Sequence, residues 1–402
     1  MALKIGKKKL SLRMPAQYNL LIHVCILILC AFGTTMLLSV SSQDAVFDTM
    51  GSLKTLMRQT VFLVGGYVLM VLLSRYFTLE AARKYGGILM IAGISMIAVT
   101  FLFPNQYGIR AWITIPLPNP LPNFTIQPSE LIKLFAIIYL AGYWGNLPNS
   151  SRFQLKDVVQ APALFLGAAA ILVLKQPDFG SFAILAMLVG ILTLFPIHPV
   201  MRGFQNTVWM LIVVVGSLAL FLMSPLGIGI VKHLPFFSAY QIQRFELAVN
   251  PFAFNHSDGY QIVNGLVAFF TGGWTGVGLG KSTHKYGYVP AAKTDSILPI
   301  IVEELGMLGF ALIFIPYVIL LYQIFKYAMK IRSTAARMLL IGVASYFFIH
   351  FALNVGGVTG LIPMTGVPLI FISQGGSSTL TGMMAIGVVQ AVIASYKRGE
   401  IQ

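Results

Sequence analysis

Apolar runs of about 17 residues or more, separated by polar links, recur along the whole chain. A run of that length crosses a bilayer as one helix. Ten such spans are predicted, over 19–40, 60–76, 86–103, 129–146, 158–175, 179–195, 206–224, 296–325, 339–356 and 377–396. The pattern predicts an all-α polytopic membrane protein in which residues 1–402 form one membrane domain. The longest connection, 225–295, becomes a large loop between spans seven and eight.

Four segments break the pattern. PNQYGIRAWITIPLPNPLPNFTIQPSE (104–130) is too rich in proline for a continuous helix, and its Arg110 and Trp112 suit an interfacial anchor. KQPDFG (175–180) reads as a tight turn around Pro177 and Gly180. The 225–295 loop is longer than a structureless connection normally is, which points to a functional segment. Within it, Phe245, Leu247, Ala248 and Phe252 have the spacing of an apolar helix face lying in the interface, and GYQIVNGLVAFFTGGWTGVGLG reads as a short or re-entrant apolar segment. NVGGVTGLIPMTGVPLIFISQGGSS (354–378) carries Pro363, Pro368 and several glycines. Such backbone survives at membrane depth only inside protein or beside a water-filled cavity.

Composition agrees with the spans: 57% of residues are hydrophobic and 10% charged, with a mean hydropathy of +0.82. A soluble globular class is excluded. The net charge of +15 acquires meaning from its placement. With the N-terminus in the cytoplasm, Lys4, Lys7, Lys8, Lys9, Arg13, Arg83, Lys84, Lys326, Lys330, Arg332, Arg337, Lys397 and Arg398 fall on that side, in short loops. Only Glu80, Asp157 and Glu400 of the 12 acidic residues join them. That bias predicts cytoplasmic termini and an extracytoplasmic 225–295 loop. It is an orientation signal with attraction to anionic membrane lipid, not a nucleic-acid footprint. The basic start leads into a span without a small-residue cleavage site, so the first span reads as uncleaved. Cys25 and Cys30, five apart on that span, favour neither a disulfide nor a metal site. The six histidines have no metal-ligand spacing.

The costly residues are carboxylates at the spans. KTDSILPIIVEELG (293–306) places Asp295 at the entry of span eight and Glu303 and Glu304 inside it. By position alone, Asp295 is either a helix cap or a partly desolvated acid whose pKa burial raises. Glu130 and Lys133, three apart, share a face of span four. With Glu303 they are expected to form a structural or proton-handling ion network. Gln127 and Ser129 read as caps of span four, and Ser377 and Ser378 as the start of span ten.

IQPSELIKL, KQPDFG, GLGKSTHKYGYVPAAKTDSILPIIVEELG and GLIPMTGVPLIFISQGGSS, in this order, resemble the SEDS (shape, elongation, division and sporulation) family of FtsW, RodA and SpoVE. The resemblance covers the whole chain and is closest to the division branch, which GLGKS distinguishes from the elongation branch. Lys293, Ser296-Ile-Leu and Gln374 depart from the family's commoner residues and suggest its Gram-positive type. The resemblance implies a ten-span inverting glycosyltransferase that polymerises lipid II, the undecaprenyl-pyrophosphate disaccharide-pentapeptide, outside the cytoplasmic membrane. It also implies a class B penicillin-binding protein and other divisome proteins as partners, and maps the family's essential aspartate onto Asp295. Glycan extension needs a base for the acceptor hydroxyl and cations for the leaving pyrophosphate. Arg110, Lys175, Arg244, Lys281 and Lys285 are the candidate cations, with Asp178 and Ser377 as further substrate-binding candidates. No protein metal site is expected, though a divalent cation (Mg or Mn) beside the pyrophosphate is compatible. A lipid II flippase, an elongation-type polymerase and a scaffold that only activates a partner synthase are the alternatives.

Overall fold

The computed structural model describes residues 2–5, 8–11, 13–47, 49–104, 110–116, 123–147, 154–196, 198–231, 242, 246–247, 249–250, 252 and 258–402. A short hairpin, β1 (Ala2–Ile5) and β2 (Lys8–Ser11), precedes the helices α1 (Leu20–Phe47), α2 (Thr49–Tyr76) and α3 (Leu79–Thr100). A second hairpin, β3 (Ile113–Ile115) and β4 (Phe124–Ile126), leads to α4 (Pro128–Trp144), α5 (Leu155–Lys175) and α6 (Phe179–Thr193). Then come α7 (Arg202–Leu222), α8 (Pro225–Val231), α9 (Asp258–Gly272), α10 (Ile297–Lys330), α11 (Thr334–Val358) and α12 (Gly376–Lys397). Each of the ten expected spans falls on one of these helices.

Eight described helices are long and apolar enough to cross a membrane. Of the remaining two expected spans, α6 has 15 residues and α4 has 17. At 1.5 Å per residue neither reaches the ~30 Å of a bilayer core. α4 is not a lipid-facing element at all. Nearly every one of its residues is buried, including Glu130 and Lys133, so α3, α6, α11 and α12 surround it. The periphery behaves differently. α3 buries only Ala82, Gly86, Met90, Gly93, Ile97 and Thr100, a stripe at helical spacing. α7 buries none of its residues. Lipid is as apolar as the helix faces, so close approach rather than hydrophobic contrast selects the contact stripe. An added Cβ at Gly142 would lie 2.7 Å from the Ala82 carbonyl oxygen. One at Gly387 would lie 2.7 Å from that of Met70, which brings α12 backbone-close to α2.

The two ends of the bundle differ. At one end the chain start, the C-terminus and the α10–α11 turn are knotted together. Asn19 N–H donates to Gln390 Oε1 (2.7 Å), Asn19 Nδ2 to Gln323 Oε1 (3.2 Å), and Arg332 and Ser333 N–H to the Gln402 carbonyl (2.9 Å each). The opposite end collects the β3–β4 hairpin, the α5–α6 turn, the segment 359–375 and the stretch 273–296. The 225–295 loop therefore has internal structure where it is described: α8, α9 and a series of turns folded against α10. Of the expected interfacial helix, Leu247 is buried and Phe252 exposed, while Phe245, Ala248 and the candidate cation Arg244 lie outside the described residues.

Prediction: Gly387→Ala forces a methyl group against the α2 backbone and lowers stability by about 1–3 kcal/mol, the range for overpacking. Thermal unfolding of the purified protein in detergent should show a lower midpoint; an unchanged midpoint would mean that α2 and α12 separate freely.

Candidate active site

α10 is two helices in one. Gly306 interrupts it with φ 64° and ψ −161°, a conformation open to glycine and forbidding to side chains. A Cβ at Gly306 would also meet the Trp274 carbonyl at 2.3 Å. The interruption leaves backbone groups without helical partners, and the chain after α9 supplies them. Val277 and Gly278 N–H donate to the Glu303 and Glu304 carbonyls (2.9 Å each), while Met307 N–H donates to the Gly273 carbonyl (3.0 Å).

The same loop neutralises the two carboxylates. Glu303 accepts from Ser282 Oγ, from Thr283 N–H and Oγ1 (3.1 Å each), and pairs with His284 Nδ1 at 2.8 Å. Glu304 accepts from Ser39 Oγ of α1 (2.6 and 2.8 Å to its two oxygens) and from Lys285 Nζ at 3.2 Å. Glu303, Glu304 and Lys285 are all essentially inaccessible. This revises two expectations. Lys285 is not presented to a substrate, because its ammonium is spent on Glu304 and on the Gly280 and Ser39 carbonyls (2.8 and 3.3 Å). The expected Glu130–Lys133–Glu303 network divides in two. Lys133 Nζ meets Glu130 Oε1 at 2.7 Å, with Tyr346 OH on the other Glu130 oxygen at 3.4 Å, whereas Glu303 belongs to the loop clasp. His284, which no metal spacing singled out, is part of that clasp.

Asp295 stands where the loop re-enters the bundle, half-buried, one residue before Ser296, the capping position of α10. Asp295 is therefore not the cap; its Oδ1 accepts from Thr294 Oγ1 at 3.0 Å. The Asp295 carbonyl accepts from Asn354 Nδ2 of α11 at 2.8 Å, and Ser296 Oγ accepts from Gln261 Nε2 of α9 at 2.6 Å. Lys293 is tied through its carbonyl to Gln374 N–H at 2.8 Å. Asp295 is thus held from the loop helix, from α11 and from the segment before α12.

A second polar centre forms around Asp178, the cap of α6. Its Oδ1 accepts from Ser181 N–H at 3.0 Å, and its Oδ2 from Gln127 Nε2 (2.9 Å) and Ser129 Oγ (3.0 Å). Gln127 occupies the capping position of α4 as expected, but its side chain, like that of Ser129, is spent on Asp178. Ser377 lies in the first turn of α12, and its Oγ accepts from Gln127 N–H at 2.8 Å. An added Cβ at Gly180 would lie 2.7 Å from the Thr365 carbonyl, so 359–375 also runs past this centre. Arg110 and Lys175 are exposed at this end. Arg58 of α2, which the sequence reading passed over, donates to Thr125 Oγ1 of β4 beside stacked Phe62 and Phe124 rings (centroids 4.8 Å apart). Arg58 sits in the polar start of α2, just before the expected span 60–76, so no local signal set it apart. Among the described residues, no three His, Cys, Asp or Glu side chains are grouped to hold a metal ion.

The motifs brought together here are the ones a family comparison recognises. The FtsW/RodA/SpoVE family model, described as cell cycle protein, matches residues 19–398. The chain belongs to that family. A probable peptidoglycan glycosyltransferase FtsW of Bacillus subtilis is 32% identical over 394 residues, covering 96% of this chain and 93% of the relative. Its Enterococcus hirae counterpart is 31% identical, covering 82% and 81%. Among solved structures, one described as "Structural coordination of polymerization and crosslinking by a peptidoglycan synthase complex" aligns with a TM-score of 0.68 at 23% identity, covering 94% of this chain and 98% of that one. The Thermus thermophilus rod shape determining protein RodA aligns with a TM-score of 0.60 at 22% identity, covering 94% and 98%. The FtsW/RodA/SpoVE fold and the apolar helices together make the chain a multi-pass membrane protein.

Prediction: Lys285→Met strands the buried Glu304 charge and costs about 3–5 kcal/mol, the usual penalty for breaking a buried ion pair from one side. Lys285→Met combined with Glu304→Gln should regain much of the thermal midpoint; equal losses in the single and double variants would count against the pair.

Proposed function

We propose that this chain is a peptidoglycan glycosyltransferase of the division type, polymerising lipid II into glycan strands at the outer face of the cytoplasmic membrane. The observation that carries the reading is Asp295: a half-buried carboxylate at the meeting point of the loop, α11 and the segment before α12. The names of the FtsW relatives support the substrate class, and the charge bias of the short loops supports the outer-face placement. Lipid II enters sideways from the outer leaflet, its tail against the spans and its head beneath the 225–295 loop.

In the proposed step the acceptor sugar's 4-hydroxyl attacks the anomeric carbon of the donor. Asp295 takes the hydroxyl proton as the new carbon–oxygen bond forms. The bond from the anomeric carbon to the lipid pyrophosphate breaks with inversion, and the pyrophosphate leaves with the electron pair. Arg110, Lys175 and Arg244 are the cations proposed to meet that charge, with Asp178 and Ser377 hydrogen-bonding sugar or peptide. Lys285 is left out of this set because its ammonium is buried against Glu304. A magnesium or manganese ion would come in on the pyrophosphate, ligated by phosphate oxygens and water. The partner proposed is a class B penicillin-binding protein, in line with the synthase complex among the fold neighbours, within a wider set of divisome proteins.

Prediction: Asp295→Asn keeps the shape and hydrogen-bonding reach of the side chain but cannot accept the proton. With purified protein, partner and labelled lipid II, glycan product should fall by about 100-fold or more, with an unchanged thermal midpoint. Wild-type turnover by the variant would remove the base assignment, and a wild-type protein inert with its partner would remove the enzymatic reading.

A further inference from the structure

Asn354 is an amide inside a membrane-spanning helix, only 3% exposed. Its Nδ2 donates two hydrogen bonds, to the Asp295 carbonyl and to the Val367 carbonyl, each 2.8 Å. The partners settle the orientation of the amide. Turned over, its oxygen would face two carbonyl oxygens instead.

Both bonds bear on the Asp295 carboxylate. The Asp295 carbonyl belongs to the peptide that follows the carboxylate-bearing Cα, so holding it holds the direction from which the side chain departs. Val367 follows Gly366, whose backbone is left-handed at φ 68° and where an added Cβ would sit 4.0 Å from Asp295 Oδ2. One amide therefore anchors the stem of the carboxylate and the chain segment lying beside it.

Asn354 is not what keeps these segments folded. The loop is also tied by Lys293 to Gln374 and by Ser296 to Gln261 (2.8 and 2.6 Å). The segment before α12 is also tied by Leu369 N–H to Ser373 Oγ (2.9 Å) and by Tyr317 OH to the Ile370 carbonyl (2.5 Å). The peptide that follows Asp295 is tied within its own turn by Ser296 N–H to the Ala291 carbonyl (3.2 Å), and Asn354 is what links it to α11. We propose that Asn354 is a positioning residue that aims the Asp295 carboxylate at the acceptor hydroxyl through the Asp295 main chain. This rests on Asp295 acting as base in the proposed glycosyl transfer.

The test uses the full-length protein with its partner and purified lipid II, comparing wild type, Asp295→Asn, Asn354→Asp and Asn354→Ala. Asn354→Asp has the same shape but sets an oxygen against both carbonyls; Asn354→Ala removes both bonds without adding charge. A misaimed base should lower kcat by roughly 10- to 100-fold, in line with the effect of about 1 Å of misplacement. KM for lipid II should stay within about threefold, because binding does not depend on the aim of the base. Loss of kcat in either variant, at a thermal midpoint close to wild type, supports the proposal. Wild-type kcat in both variants overturns it while leaving the glycosyltransferase reading intact. So does a change confined to KM, or a kcat loss that merely follows the fraction unfolded in both variants. An inert wild type, or an active Asp295→Asn, overturns the reading beneath it and this proposal together.

Discussion

Two adjacent carboxylates inside a membrane helix are tolerable only if every oxygen finds a donor, and that requirement organises the loop-bearing end of the molecule. Glu303 and Glu304 collect hydroxyl, amide, imidazole and ammonium partners from residues 282–285 and from Ser39. The break at Gly306 frees backbone groups for the chain after α9 in the same place. A loop that would otherwise lie over the bundle is thereby welded to α10. Two turns upstream of the carboxylates, the chain passes through Asp295, which inherits its place from that weld.

The fold was legible because hydropathy is a long-range signal: ten apolar runs became ten helices. Periodicity within the runs said little about which face packs inward. α3 shows why, since its contact stripe is chosen by small residues such as Gly86 and Gly93 and not by contrast with its lipid-facing side. The hairpin of β3 and β4 was hidden among prolines, where only the absence of a helix could be read.

The site was legible in its motifs and less so in its pairings. Asp295, Asp178 and the Glu130–Lys133 contact could be picked out because charge near a span is rare. Lys285 misled for a physical reason: a basic residue in a loop is normally solvated, and only the depth of Glu304 draws this one inward. Ser39, Asn354 and Arg58 carry their meaning through partners far away in the chain (246, 59 and 67 residues for Lys285, Asp295 and Thr125), which no local pattern encodes.

Chain order gives the buried carboxylates a further property. Ser39 and residues 282–285 all precede Glu303 and Glu304. During synthesis, every side chain that neutralises the pair has therefore left the ribosome before the pair itself emerges. An unaccompanied glutamate at membrane depth costs several kcal/mol, and a nascent helix bearing two would resist insertion. Here the counter-groups are already waiting, so α10 can settle into the bundle without its acids ever facing lipid alone.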